Sequence, residues 1–238
     1  MSAIIFNQLS FSYDSIEVLK KASFEINKGE YVGIVGPNGG GKTTAIKLML
    51  GFLVPSSGSV KVLGGSPVSA RTKIGYVPQI NAYDKDFPIS VMEVVLTGSL
   101  EKLNWRGKFP KEEREKAKGL LTEVGLQGFE EHSFGSLSGG QAQKALIVRA
   151  LMCDPDILLL DEPTANVDAK SEEAIFAYLK GLQGKKTILI VTHNFDAIIQ
   201  NVERVLCFQH EVSSMLPKDV CEHFTIGMYH KPLGHSHD

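Results

Sequence analysis

Residues Gly36-Pro-Asn-Gly-Gly-Gly-Lys-Thr43 satisfy the spacing G-x-x-x-x-G-K-[ST]. Gly36, Gly39, Gly40 and Gly41 let the backbone curl until its amides converge on phosphate oxygens. Lys42 supplies a point charge for β- and γ-phosphates, and the Thr43 hydroxyl is a ligand for Mg²⁺. Pro37, Asn38 and Thr44 complete this candidate nucleotide-binding run.

Two carboxylates, Asp161 and Glu162, follow the aliphatic run Ile157 to Leu160. At the end of a strand, one would sit near Mg²⁺ and the other where an attacking water would stand. His193 closes a second apolar run, Thr187 to Thr192, where a ring nitrogen could donate to a γ-phosphate. In Leu137-Ser-Gly-Gly-Gln141, the amides of Gly139, Gly140 and Gln141 and the Ser138 hydroxyl precede an apolar helical run. That placement makes a second anion cradle at a helix N-terminus.

These groups need a scaffold that brings strand ends together. Tyr31-Val-Gly-Ile-Val35 reads as a buried strand running straight into the glycine-rich turn, with a helix from Thr43 to Leu50 behind it. Apolar runs alternating with helical stretches predict an α/β fold with a parallel sheet, whose ligands gather at the carboxyl ends of the strands. From Pro88 to Leu151 the pattern turns helical, and Lys111-Glu-Glu-Arg-Glu-Lys116 reads as a solvated helix face. The alternating stretch Ile4 to Ile26 predicts a flanking antiparallel sheet. With neither a solenoid-length repeat nor a long flexible linker, residues 1–238 read as one domain with two lobes.

Composition narrows the function classes. In 238 residues, 43% are apolar and 22% charged, the profile of a folded protein. Lys plus Arg number 25 against 27 Asp plus Glu, a net charge of −2 that argues against a broad cationic face for nucleic acid. The aliphatic runs are too short to span a bilayer, and the start of the chain lacks the pattern of a secretory signal, so the expected compartment is the cytosol. Cys153, Cys207 and Cys221 lack CxxC spacing and read as mostly buried thiols.

Taken in order, the phosphate loop, the LSGGQ run, the Asp161-Glu162 strand end and His193 resemble the motifs of ATP-binding cassette (ABC) ATPases, over residues 1 to about 215. The resemblance implies a P-loop NTPase core of RecA-like type, an N-terminal antiparallel β-subdomain and an α-helical subdomain at about 88–151. It also implies ATP and Mg²⁺ as cofactors, with Thr43, Gln79 and Asp161 around the metal. Tyr13 looks like the aromatic that stacks on adenine, and Gln79, in Gly75-Tyr-Val-Pro-Gln79, like the glutamine that touches Mg²⁺ and water. Glu162, His193, Gln79 and Lys42 take catalytic positions. Ala165-Asn-Val-Asp168 resembles the D-loop, placing Asp168 near the nucleotide, though Val167 replaces the commoner leucine. Lys144 stands where many relatives have arginine, and Gly40 where they often have alanine, which predicts a slightly looser loop.

Such cassettes pair head to tail, so ATP on Lys42 of one copy is covered by Ser138 and Gly140 of the other, and the implied assembly is a homodimer. The implied partners are an integral membrane permease, docked on the lobe after Gln79, and an extracytoplasmic solute-binding protein, with no nucleic acid. Peripheral attachment to the inner, cytoplasmic face of the membrane follows. Phe87-Pro-Ile-Ser-Val-Met-Glu-Val-Val95 resembles the ATPases of zinc, manganese and iron importers. Another cargo, such as an iron chelate or haem, is the alternative. A soluble ABC protein without a permease is the other alternative, although such proteins usually join two cassettes or insert a coiled coil. The tail at about 216–238 holds His230, His235 and His237, with Cys221 and His223 upstream. It is either a weak transition-metal site or a plain polar tail.

Overall fold

The computed structural model describes residues 1–79, 84–165 and 167–220. Strands β1 (Ser2–Tyr13) and β2 (Ile16–Asn27) form an antiparallel hairpin, and β4 (Ser57–Val62) pairs with the free edge of β1. The expected flanking sheet is therefore present, enlarged by a strand that carries little alternation of its own.

The central sheet has the order β5-β6-β7-β3-β8-β9. Its members are β3 (Tyr31–Val35), β5 (Ile74–Val77), β6 (Ile157–Asp161), β7 (Thr187–Val191), β8 (Arg204–Gln209) and β9 (Glu211–Met215). Pairing is parallel from β5 through β8, and β9 closes the edge as an antiparallel hairpin with β8. Every residue of β3, β6 and β7 is buried, because both faces of the sheet are covered.

Alternation sorts the side chains into two cores. Val32, Ile34, Leu159, Leu189 and Leu206 face the antiparallel sheet and helix α1 (Lys42–Met49). Tyr31, Leu158, Leu160, Ile188, Ile190 and Val205 face the opposite way. There they meet α5 (Gly139–Leu151), α6 (Ala169–Leu182) and α7 (Phe195–Asn201). The connection after β3 runs to α1 on one face and the connection after its neighbour β7 runs to α7 on the other, so the loop after β3 opens at a switch point.

Helix α1 begins at Lys42, one residue before the expected start. Besides the short α2 (Pro67–Ala70), the remaining helices are α3 (Val91–Leu96) and α4 (Lys111–Glu123). They pack with α5 into a layer whose core includes Val91, Val95, Ala117, Leu121 and Ala145. Along Lys111 to Lys116, Lys111, Glu112, Arg114 and Glu115 are exposed. Lys116 departs from the expected solvated face: it is half-buried and its ammonium donates to the Met152 carbonyl at 2.7 Å, at the end of α5. Cys207 is buried, Cys153 half-buried, and Cys221 lies outside the described residues with the histidines of the tail.

Arg204 ties the two sheets together. Its guanidinium donates to both Glu30 carboxylate oxygens, at 2.6 and 3.0 Å, and to the Glu25 carbonyl of β2 at 2.6 Å. The fork supplies a bidentate pair that a point charge cannot reproduce. Arg204→Ala is expected to cost about 1–3 kcal/mol, since the Glu25 carbonyl loses this donor and the Glu30 carboxylate keeps only the Asn27 amide. Chemical denaturation would read the loss as a lower midpoint with an unchanged slope.

Candidate functional site

A cavity of about 560 Å³ opens where β3 and β6 end. That volume suits a small-molecule ligand. Asn38, Gly39, Gly40 and Gly41 form its floor together with Lys42, Thr43 and Thr44. Gly36 stands at φ +145° with its Cα against β8, where an added Cβ would lie 2.1 Å from the Phe208 carbonyl oxygen. Gly41 caps α1 at φ +99°, and a Cβ there would meet Leu19 at 2.6 Å. At both positions glycine supplies the conformation and the room. Gly40 corrects the expectation of a loose loop: a Cβ would come within 2.5 Å of the Phe208 carbonyl oxygen, so the loop is tight there.

Lys42 is buried, and its ammonium donates to the carbonyls of Gly36 at 2.8 Å and Pro37 at 2.9 Å. Gly36 and Pro37 thus hold the lysine and are not part of the cavity wall. Burial lowers the lysine pKa, while the charges of Glu162 and Asp161 act the other way. Asp161 is only 3% exposed, and its pKa is raised, first by burial and then by Glu162. Its hydrogen bond from the Thr43 hydroxyl is long, at 3.5 Å.

Register fixes the acidic pair. Asp161 pairs with Val191 across β6 and β7, and the Glu162 amide donates to the Val191 carbonyl at 2.9 Å. Glu162 takes φ +50°, a left-handed conformation uncommon for a side chain of its size. Its carboxylate accepts from Gln79 Nε2 at 2.6 Å and meets His193 Nε2 at 2.9 Å. Gln79, Glu162 and His193, drawn from three separate strand ends, share the cavity with Lys42.

Tyr13 lines the same cavity; the residue is 42% exposed and its ring stands edge-on to that of Phe11 at 4.9 Å. Beside it is Val18, which the sequence reasoning missed. Val18 falls where the β1–β2 register shifts, between the pairs Ser12–Glu17 and Phe11–Leu19, so alternation along the sequence does not mark it.

Ser138, Gly139, Gly140 and Gln141 do not line this cavity. Ser138 caps α5 in a reciprocal pair: its hydroxyl accepts from the Gln141 amide at 3.3 Å, and the Gln141 side chain accepts from the Ser138 amide at 2.9 Å. Gly140 lies against α6, where a Cβ would come within 2.4 Å of Ser171. Asp168 also stays outside the cavity: it caps α6 by accepting from the Ser171 amide at 3.0 Å, and the Ser171 hydroxyl first and that amide second hold its carboxyl below the usual range. Asn166 and residues 80–83, within the expected D-loop and docking lobe, lie outside the described residues. Of the segment after them, Val91, Met92 and Val95 are buried in the helical layer and Phe87 is exposed. Among the described residues no helix is long and apolar enough to cross a membrane.

The ABC transporter family model matches residues 19–165. The chain belongs to the ABC transporter family. Within it, the chain is 41% identical to a probable metal transport system ATP-binding protein of Chlamydia pneumoniae, over 89% of this chain and 88% of that one. It is 39% identical to the zinc transport system ATP-binding protein TroB of Treponema pallidum, over 86% of this chain and 77% of TroB. It is also 39% identical to the manganese transport system ATP-binding protein MntB of Bacillus subtilis, over 82% and 78%. Among solved structures, it resembles an inward-facing putative metal-chelate type ABC transporter with a TM-score of 0.81 and 27% identity, over 92% of this chain and 85% of that one. An ATP-binding cassette in its ADP conformation superposes with a TM-score of 0.81 and 26% identity, over 95% and 97%. This ABC chain is thus a nucleotide-binding ATPase whose P-loop fold is the one its motifs implied.

Because Asp161 is buried with one long hydrogen bond, its charge destabilises the free protein. A raised folded pKa means that this cost is fully present above that pKa and disappears as the pH falls and the carboxyl takes up its proton. Asp161→Asn should therefore raise the thermal midpoint of nucleotide-free protein at neutral pH, with the gain shrinking in acid. Differential scanning calorimetry across pH checks both the sign and the window.

Proposed function

We propose that the chain is the ATP-hydrolysing subunit of an importer for a divalent transition metal: zinc, manganese or iron. It works as a homodimer on an integral permease at the cytoplasmic face of the membrane, and an extracytoplasmic solute-binding protein delivers the cargo. The observation that carries the reading is Glu162, at a strand end in the phosphate-loop cavity with Gln79 and His193 on its carboxylate. The names of the zinc, manganese and metal-transport relatives support the cargo.

In this reading the backbone of Asn38 to Thr44 and the Lys42 ammonium receive the β- and γ-phosphates, with Tyr13 and Val18 against the nucleoside. Glu162 orients a water and takes its proton as the new oxygen–phosphorus bond forms and the bond to the ADP oxygen breaks. His193 steadies the γ-phosphate. Asp161, Thr43 and Gln79 offer hard oxygen donors, and the under-partnered Asp161 carboxylate fits a cation, so these three would hold Mg²⁺. That ion would neutralise charge on the phosphate oxygens. Ser138 and Gly140, away from their own chain's cavity, reach the nucleotide of a second copy, and Asp168 borders that junction.

A metal-chelate cargo is the second reading, favoured by the likeness to the metal-chelate type transporter. At 27% identity it is a more distant match than the metal-transport relatives at 39 to 41%.

Glu162→Gln is expected to bind ATP, to accumulate as an ATP-dependent dimer in size-exclusion chromatography, and to lose turnover by at least about 100-fold. Undiminished turnover would overturn the assigned base. Cells lacking this ATPase should lose uptake of radiolabelled zinc, manganese or iron. Normal uptake of all three ions with impaired uptake of a chelate would favour the second reading.

A further inference from the structure

We propose that Glu172 is a positioning residue for ATP hydrolysis, which locks the loop carrying Glu162 to the loop carrying His193. The proposal rests on the roles given above to those two residues. Glu172 lies in the first turn of α6, half-buried, and its two carboxylate oxygens serve different loops. One accepts from the Thr164 hydroxyl at 2.7 Å, and the other from Asn194 Nδ2 at 3.1 Å. Thr164 is buried two residues beyond Glu162, and Asn194 directly follows His193.

The bridge leaves Asn194 no slack. Its side-chain oxygen accepts from the Ala197 amide at 3.1 Å as the cap of α7, and its own amide donates to the Thr192 hydroxyl at 3.1 Å. With Nδ2 on Glu172, the residue after His193 is fixed from β7, α6 and α7 together. Apart from this bridge, the described hydrogen bonds joining the two loops are the Glu162 amide to Val191 and the Glu162–His193 contact itself. A carboxylate suits the post because two donors converge on it and the N-terminal end of α6 favours a negative charge. Catalytic groups lose their effect when displaced by about 1 Å, which makes such a brace matter for rate.

A glutamine can keep both links: its oxygen accepts from Asn194 and its amide donates to the Thr164 hydroxyl, which can also accept. The test is the steady-state ATPase of the purified full chain, with the thermal midpoint of each variant recorded. Glu172→Ala should lower kcat about tenfold, with KM for ATP within about twofold, and Glu172→Gln should restore most of the rate. If Glu172→Ala fails to fold, Thr164→Val removes one arm and should lower kcat with the same unchanged KM.

A wild-type kcat in Glu172→Ala at a temperature where it is folded would reduce the residue to a structural staple and overturn the proposal. A Glu172→Gln variant as slow as the alanine would also overturn it, because charge and not linkage would then govern. If Glu162→Gln kept its turnover, the functional reading itself would fail. With Glu162→Gln inactive and Glu172→Ala unchanged, only the bridge would be wrong.

Discussion

Burial at the ends of β3 and β6 works against the charged forms of both Lys42 and Asp161, and yet the fold places them there. Lys42 is held by two backbone carbonyls and not by a carboxylate, so its charge remains free to be neutralised by an anion. Asp161 has one long hydrogen bond, so its charge remains free for a cation. An anion and a cation arriving together satisfy both, which is the chemistry of a metal-bound triphosphate. The apolar strands behind supply the rigidity that keeps these charges from collapsing onto one another.

The same economy governs the second anion cradle. Ser138 and Gln141 close a capping box that prepares the end of α5 without consuming every donor there. Its N-terminus abuts α6 so closely that Gly140 has no room for a side chain. In turn α6 carries Glu172, braced against the loops of Glu162 and His193. In the proposed dimer, the abutting N-terminal ends of α5 and α6 therefore border two nucleotides: their own copy's through the brace on α6 and the partner's through the cradle on α5.

Wherever local chemistry and strand periodicity coincided, the sequence was informative. The phosphate loop, the Asp161-Glu162 pair and His193 could be read because each follows a run of aliphatic residues that can only be a buried strand. In the structure Lys42, Glu162 and His193 line one cavity, with Gln79 and His193 on the Glu162 carboxylate and Asp161 buried beside it. Less legible were β4, β5, β8 and β9. β4 carries serine and glycine, β5 has only four residues, and β8 begins with an arginine. The place of Val18 depends on the irregular register of the β1–β2 hairpin, and the room around Gly40 on its approach to β8, neither of which spacing alone encodes. Glu172 had no local signal, because its meaning arises only when Thr164 and Asn194 meet it in space.

The central claim is that the nucleotide is enclosed by the phosphate loop of one copy and the Ser138 corner of another. A crystal structure of the Glu162→Gln protein grown with ATP and Mg²⁺ tests it most directly. The account predicts two nucleotides in a head-to-tail dimer, each with its γ-phosphate within hydrogen-bond distance of the partner's Ser138 and Gly140. A triphosphate bound in the cavity of a dimer whose Ser138 corners face solvent would contradict it.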